Sequence, residues 1–230
     1  MDPLLLLVAV SILAGALAQS VTGMGFSLVA APALLAYLGP RGGVAVVVVL
    51  AAMASLLPLS QQWRQIRWRD AGSLLLPTLL ATPVIALALA GMDTAVVAVA
   101  AGVAVIVGVA LLARGASWAW FRGLPGAIAA GMASATLNVV GGPPVGMFAA
   151  NAGWAPVQAR ATLQFFFLIQ NIVTALVIGV VGPQWWMVAA LVVGTLVGMA
   201  VVARVPARLA RIAVLVVAAL GGASLVVANV

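Results

Sequence analysis

The chain has 230 residues, 66% of them hydrophobic and 6% charged, with a net charge of +7 and a mean hydropathy of +1.32. A water-soluble domain would be about 25% charged, so this composition excludes one and predicts an all-α integral membrane protein. There is no Cys and no His, which excludes disulfides, thiol chemistry and His-ligated metal sites; no cofactor is expected.

The apolar stretches are solid runs of Ala, Val and Leu, not the alternating segments of about ten residues that a transmembrane β-barrel needs. The first stretch, 3–39, is too long for one crossing. It is interrupted by Gln19-Ser20-Val21-Thr22-Gly23-Met24-Gly25, so a broken helical hairpin is predicted there. Spans follow over 44–59, 71–90 and 94–113. A second broken hairpin is predicted over 123–153, interrupted by Asn138-Val139-Val140-Gly141-Gly142-Pro143-Pro144. Spans over 156–181, 185–203 and 209–228 complete the chain.

All ten basic residues are Arg, and the acids are Asp2, Asp70 and Asp93. The arginines sit in short gaps between apolar runs, which argues against nucleic acid as a partner and marks cytoplasmic loops. Placing Arg64, Arg67, Arg69, Arg114, Arg122, Arg204, Arg208 and Arg211 inside predicts both termini outside, in the periplasm of a bacterial inner membrane. Each broken hairpin then begins and ends on one side, the first outside and the second inside. Residues 1–113 and 114–230 thus read as two repeats, each a broken hairpin plus three spans, the second inverted. Inverted repeats with discontinuous helices are common in secondary transporters.

These breaks also carry a family resemblance. The two copies, Thr22-Gly23-Met24-Gly25-Phe26…Pro32 and Val139-Val140-Gly141-Gly142-Pro143-Pro144, with Ala159-Arg160-Ala161-Thr162 after the second, resemble the sulfite exporter TauE/SafE family of bacterial membrane permeases. The chain departs from that pattern in having fewer glycines at both breaks. The resemblance implies transport of a small anion, sulfite or an organosulfonate.

Irregular backbone survives at membrane depth only against protein or water, and a helix that restarts after a break presents free N–H groups and a positive dipole end. The candidate anion-binding residues are therefore Gln19, Ser20, Thr22, Gly23, Gly25 and Ser27 at the first break, and Asn138, Gly141, Gly142 and Pro143 at the second. Ser and Thr also cap and glue helices, so Gln19 and Asn138 are the stronger candidates. Gln19 and Asn138 are expected to answer each other across the two repeats. On the 156–181 span, Arg160, Gln164 and Asn171 share one face. Arg160 reads either as an anion gate or as an anchor snorkelling to the headgroups.

No acid lies inside a predicted span, and no nucleophile–base pair or paired acids exist for catalysis, so an enzyme is excluded. The first reading is a secondary transporter of a small anion. An uncoupled anion channel and a non-transporting scaffold subunit are the alternatives. The expected partners are the anionic substrate and the lipid bilayer, and a homo-oligomer is compatible with the sequence.

Overall fold

A computed structural model of the chain describes residues 3–90, 94–114, 121–137 and 141–202, with isolated positions from 204 to 227. The described elements are helices: α1 Pro3–Thr22, α2 Phe26–Gln62, a short 3-10 turn Trp63–Gln65, α3 Trp68–Ala90, α4 Thr94–Ala113, α5 Gly123–Leu137, α6 Gly142–Asn151, α7 Pro156–Ile178 and α8 Trp185–Val202. Five helices among the described residues are long and apolar enough to cross a membrane. An apolar chain in hydrocarbon must close its own backbone hydrogen bonds, and the helix does so within one segment. The expected span over 209–228 lies outside the described residues apart from isolated positions.

The helices on either side of each break pack together. α1 packs against α2, and α5 against α6. The turn expected near residue 39 is a kink within α2, where Gly39 takes φ 74° and ψ 168°. Pro40 explains it: proline disfavours helical backbone in the residue before it, and glycine alone reaches this positive φ without strain. The second limb of α2 therefore begins at Pro40, ahead of the 44–59 span read from hydropathy.

The bundle holds two main apolar cores. The first joins Val8 and Ile12 of α1, Phe26, Leu34 and Leu50 of α2, and Met187 and Leu191 of α8. The second joins Leu74 of α3, Ala127 of α5, Phe148 of α6 and Phe166 of α7. Each core thus borrows a helix from the other half of the chain: α8 completes the first and α3 the second. α2 and α7 pack on each other and join the cores.

The borrowed helices lie very close to their hosts. A β-carbon on Gly194 of α8 would stand 2.4 Å from the Leu13 carbonyl oxygen of α1, and one on Gly131 of α5 would stand 2.5 Å from that of Leu74 in α3. Small residues permit this backbone approach, the main source of helix–helix attraction where lipid is as apolar as protein.

Candidate functional site

The first break is a left-handed turn. Gly23 and Gly25 take φ 83° and 113°, and the Gly23 N–H donates to the Gln19 carbonyl at 2.8 Å. The Thr22 hydroxyl lies 2.9 Å from the Ala18 carbonyl oxygen and accepts from the Met24 N–H at 3.3 Å. It shapes the turn. Gly23 rests on α7, where a β-carbon would stand 2.8 Å from the Arg160 α-carbon and carbonyl oxygen.

Gln19 ties the break to its neighbours. Its Oε1 accepts the N–H of Phe26, the first residue of α2, at 3.2 Å. Its Nε2 donates to Ser55 Oγ at 3.0 Å, and its carbonyl oxygen receives Gln164 Nε2 at 3.4 Å. Helix geometry leaves the N–H groups of Ser27 and Leu28 without a carbonyl inside their own helix.

The second break brings α6 alongside. A β-carbon on Gly141 would stand 2.5 Å from the Ser134 carbonyl oxygen, and one on Gly146 would stand 2.6 Å from the Met24 methyl, so the two breaks touch. Between them lies a cavity of about 20 Å³. Gln19, Gly25, Ser27 and Leu28 wall it from the first break, Gly142 from the second, and Ala51, Phe167 and Asn171 from α2 and α7. Asn171 donates to the Phe167 carbonyl of its own helix at 2.7 Å; its carbonyl oxygen makes no use of that bond.

The sequence candidates separate accordingly. Gln19, Gly25, Ser27, Gly142 and Asn171 meet at the cavity. Ser20 turns away: its hydroxyl lies 2.9 Å from the Ala16 carbonyl oxygen and 3.4 Å from that of Thr195 in α8. Pro143 is buried beside the site without lining it, and together with Pro144 it removes two N–H donors from the first turn of α6. The start of α2 therefore keeps more N–H donors than the start of α6. Gln164 is fully buried, and its Oε1 has no partner. Arg160 is half-buried with its Nε unpartnered, placed against Gly23 beyond the cavity wall. Asn138 lies outside the described residues. Leu28, Ala51 and Phe167 escaped sequence reasoning because an apolar residue in an apolar helix carries no signal.

A second amide–hydroxyl pair joins α5 to α7. Ser134 Oγ donates to Gln170 Oε1 at 3.1 Å, and Gln170 Nε2 donates to the Ser134 carbonyl at 3.3 Å. The Gln19–Ser55 and Ser134–Gln170 pairs each span 36 residues. One constant shift carries α1 residue onto α5 residue and α2 residue onto α7 residue, with amide and hydroxyl exchanged.

The loop after α2 packs against α7 and the turn that precedes it. The Arg67 N–H donates to Thr162 Oγ1 at 3.0 Å, its guanidinium lies 5.8 Å from the centre of the Trp154 ring, and its Nε pairs with Asp70 at 2.6 Å. Trp154 packs on Phe148, and Phe148 on Phe121 beside Arg122.

The arrangement offers a small polar cavity, a helix N-terminus and neutral hydrogen-bonding side chains, the equipment to hold a desolvated anion. Among the described residues no group of His, Cys, Asp or Glu could hold a metal. The family described as Sulfite exporter TauE/SafE matches residues 7–225. No curated protein and no solved structure matches the chain.

Proposed function

Because the chain belongs to the sulfite exporter TauE/SafE family and is therefore a multi-pass membrane transporter, we propose that it moves a small anion of the sulfur-oxyanion class across a bacterial inner membrane by alternating access. The observation that carries this reading is the cavity where Gly25, at the start of α2, meets Gly142, at the start of α6. A helix start contributes roughly half a positive charge, and Ser27, Asn171 and Gln19 add neutral hydrogen-bonding groups. This suits an anion that must later leave, because no ion pair has to be broken on release.

A second observation supports alternating access. α1 packs on α8 as α5 packs on α3, and α2 packs on α7. Exchanging the halves reproduces these contacts, as two repeats of 1–113 and 114–230 related by an axis between α2 and α7 require. An uncoupled channel is disfavoured by the cavity volume of about 20 Å³, close to the room for one water. So small a space fits one anion held in place better than a continuous pore, which favours a carrier.

The test is a thermal-stability screen of the purified protein against sulfite, thiosulfate, sulfoacetate and taurine, with acetate as a control. A ligand at a hundred times its dissociation constant stabilises by about 2.7 kcal/mol. A rise with sulfur oxyanions and none with acetate is expected. No rise with any sulfur anion, together with no counterflow in proteoliposomes, overturns the reading; flux without counterflow favours the channel.

A further inference from the structure

Most glycines at the two breaks are demanded by backbone or packing. Gly23 and Gly25 hold left-handed φ, and a side chain on Gly141 would collide with Ser134. Gly142 differs. It is not among the positive-φ glycines, and a β-carbon there would meet Leu28 Cδ1 at 3.6 Å, Met24 Sδ at 3.7 Å and Met24 Cβ at 4.0 Å, all ordinary contacts. Its place before Pro143 is no demand either, since Pro143 stands before Pro144 in the same first turn of α6 and carries a β-carbon itself. Alanine at such a position normally stabilises a protein, because it restricts the unfolded chain. Gly142 forgoes that gain, and the space its missing methyl leaves is the cavity it lines.

We propose that Gly142 is the size-determining residue of the anion site: its bare α-carbon is the wall against which the bulk of the anion is measured. The inference rests on the reading of this cavity as the anion site. Leu28, Met24 and Phe167 can yield by changing rotamer. A β-carbon cannot, because it is fixed to the backbone of a helix start, so bulk at this position is not absorbed. In a cavity of about 20 Å³, where a water needs only some 10–15 Å³ of such space, one methyl group is decisive.

The experiment measures melting temperature and binding of sulfite and of the longer sulfoacetate to the full chain in detergent. Wild type is compared with Gly142→Ala and with Gly72→Ala, whose added methyl meets nothing within 4 Å. Gly142→Ala is expected to melt at or above the wild-type temperature and to bind both anions more weakly, with a loss of about tenfold or more for sulfoacetate and a smaller one for sulfite. Gly72→Ala should bind as wild type. Unchanged binding in Gly142→Ala, equal losses for the two anions, or a lowered melting temperature would each overturn the size role. Failure of the wild type to bind either anion would instead overturn the anion reading on which it rests.

Discussion

At the scale of single residues, the site divides labour between Gln19 and Asn171. Gln19 spends its side-chain Oε1 on the Phe26 N–H and one Nε2 N–H on Ser55, so it builds the restart of α2. Asn171 holds only its own helix and faces the cavity. Truncating them should separate the roles. Gln19→Ala strands a buried N–H, at about 1–3 kcal/mol, and should lower both the melting temperature and the anion affinity. Asn171→Ala should leave the melting temperature near wild type and weaken sulfite binding about ten- to a hundredfold, the worth of one hydrogen bond to a charged group. Parallel thermal melts and titrations decide this; an Asn171→Ala protein that binds normally removes Asn171 from the site.

At the scale of elements, the two borrowed helices make matching predictions. Gly194→Ala and Gly131→Ala each drive a β-carbon to within 2.4–2.5 Å of a facing carbonyl oxygen. Each should destabilise by about 1–3 kcal/mol, the usual cost of overpacking, read as a lowered melting temperature in detergent; a neutral result at either glycine means that its helix pair can slide apart. The elements themselves were legible beforehand. Polar residues and glycine interrupt the first apolar run at 19–25, and glycine and proline the second at 138–144, so the breaks stood out, and the apolar run 94–113 has the same bounds as helix α4. Less legible was the register between the halves. The expected match of Gln19 with Asn138 lies outside the described residues; among those described, the Gln19–Ser55 and Ser134–Gln170 pairs are related by one shift along the chain. The interaction recurs while its two residue types change helices, and no comparison of single positions can see that. The loan of α3 and α8 between cores was equally hidden, since helices that are apolar all round do not announce which face they bury.

At the scale of the molecule, the two ends of the bundle are not alike. On the arginine side the loop after α2 is strapped down: Arg67 bonds Thr162 and covers Trp154, Trp68 packs edge-on against Phe165 at 5.0 Å, and Ile66 is buried with Leu59, Ala71 and Ala161. The corresponding connection of the other half, 179–184, is exposed almost throughout. The connection after α2 is therefore packed down, and the connection at 179–184 is not. A chain without cysteine permits a direct check in detergent. Ile66→Cys should react slowly with a maleimide and Gly182→Cys quickly, and adding Thr162→Val should speed the first without changing the second. Equal rates at 66 and 182 in the unstrapped and strapped proteins alike would sink the idea of a strap.

The wall of the cavity is made of amides, a hydroxyl, glycine and hydrocarbon, and the whole sequence contains neither histidine nor cysteine. Those are the side chains whose protonation ordinarily changes around neutrality. The wall of this cavity thus supplies no side chain of that kind. On the proposed function, a variation of flux between mildly acid and mildly alkaline conditions is expected to follow the protons on the cargo rather than on the cavity wall. Under the proposed function, the cavity would tell the more charged form of its anion from the less charged one by geometry and dipole, and the acidity of the two compartments, acting on the anion in solution, would set how much of it arrives in the form that fits.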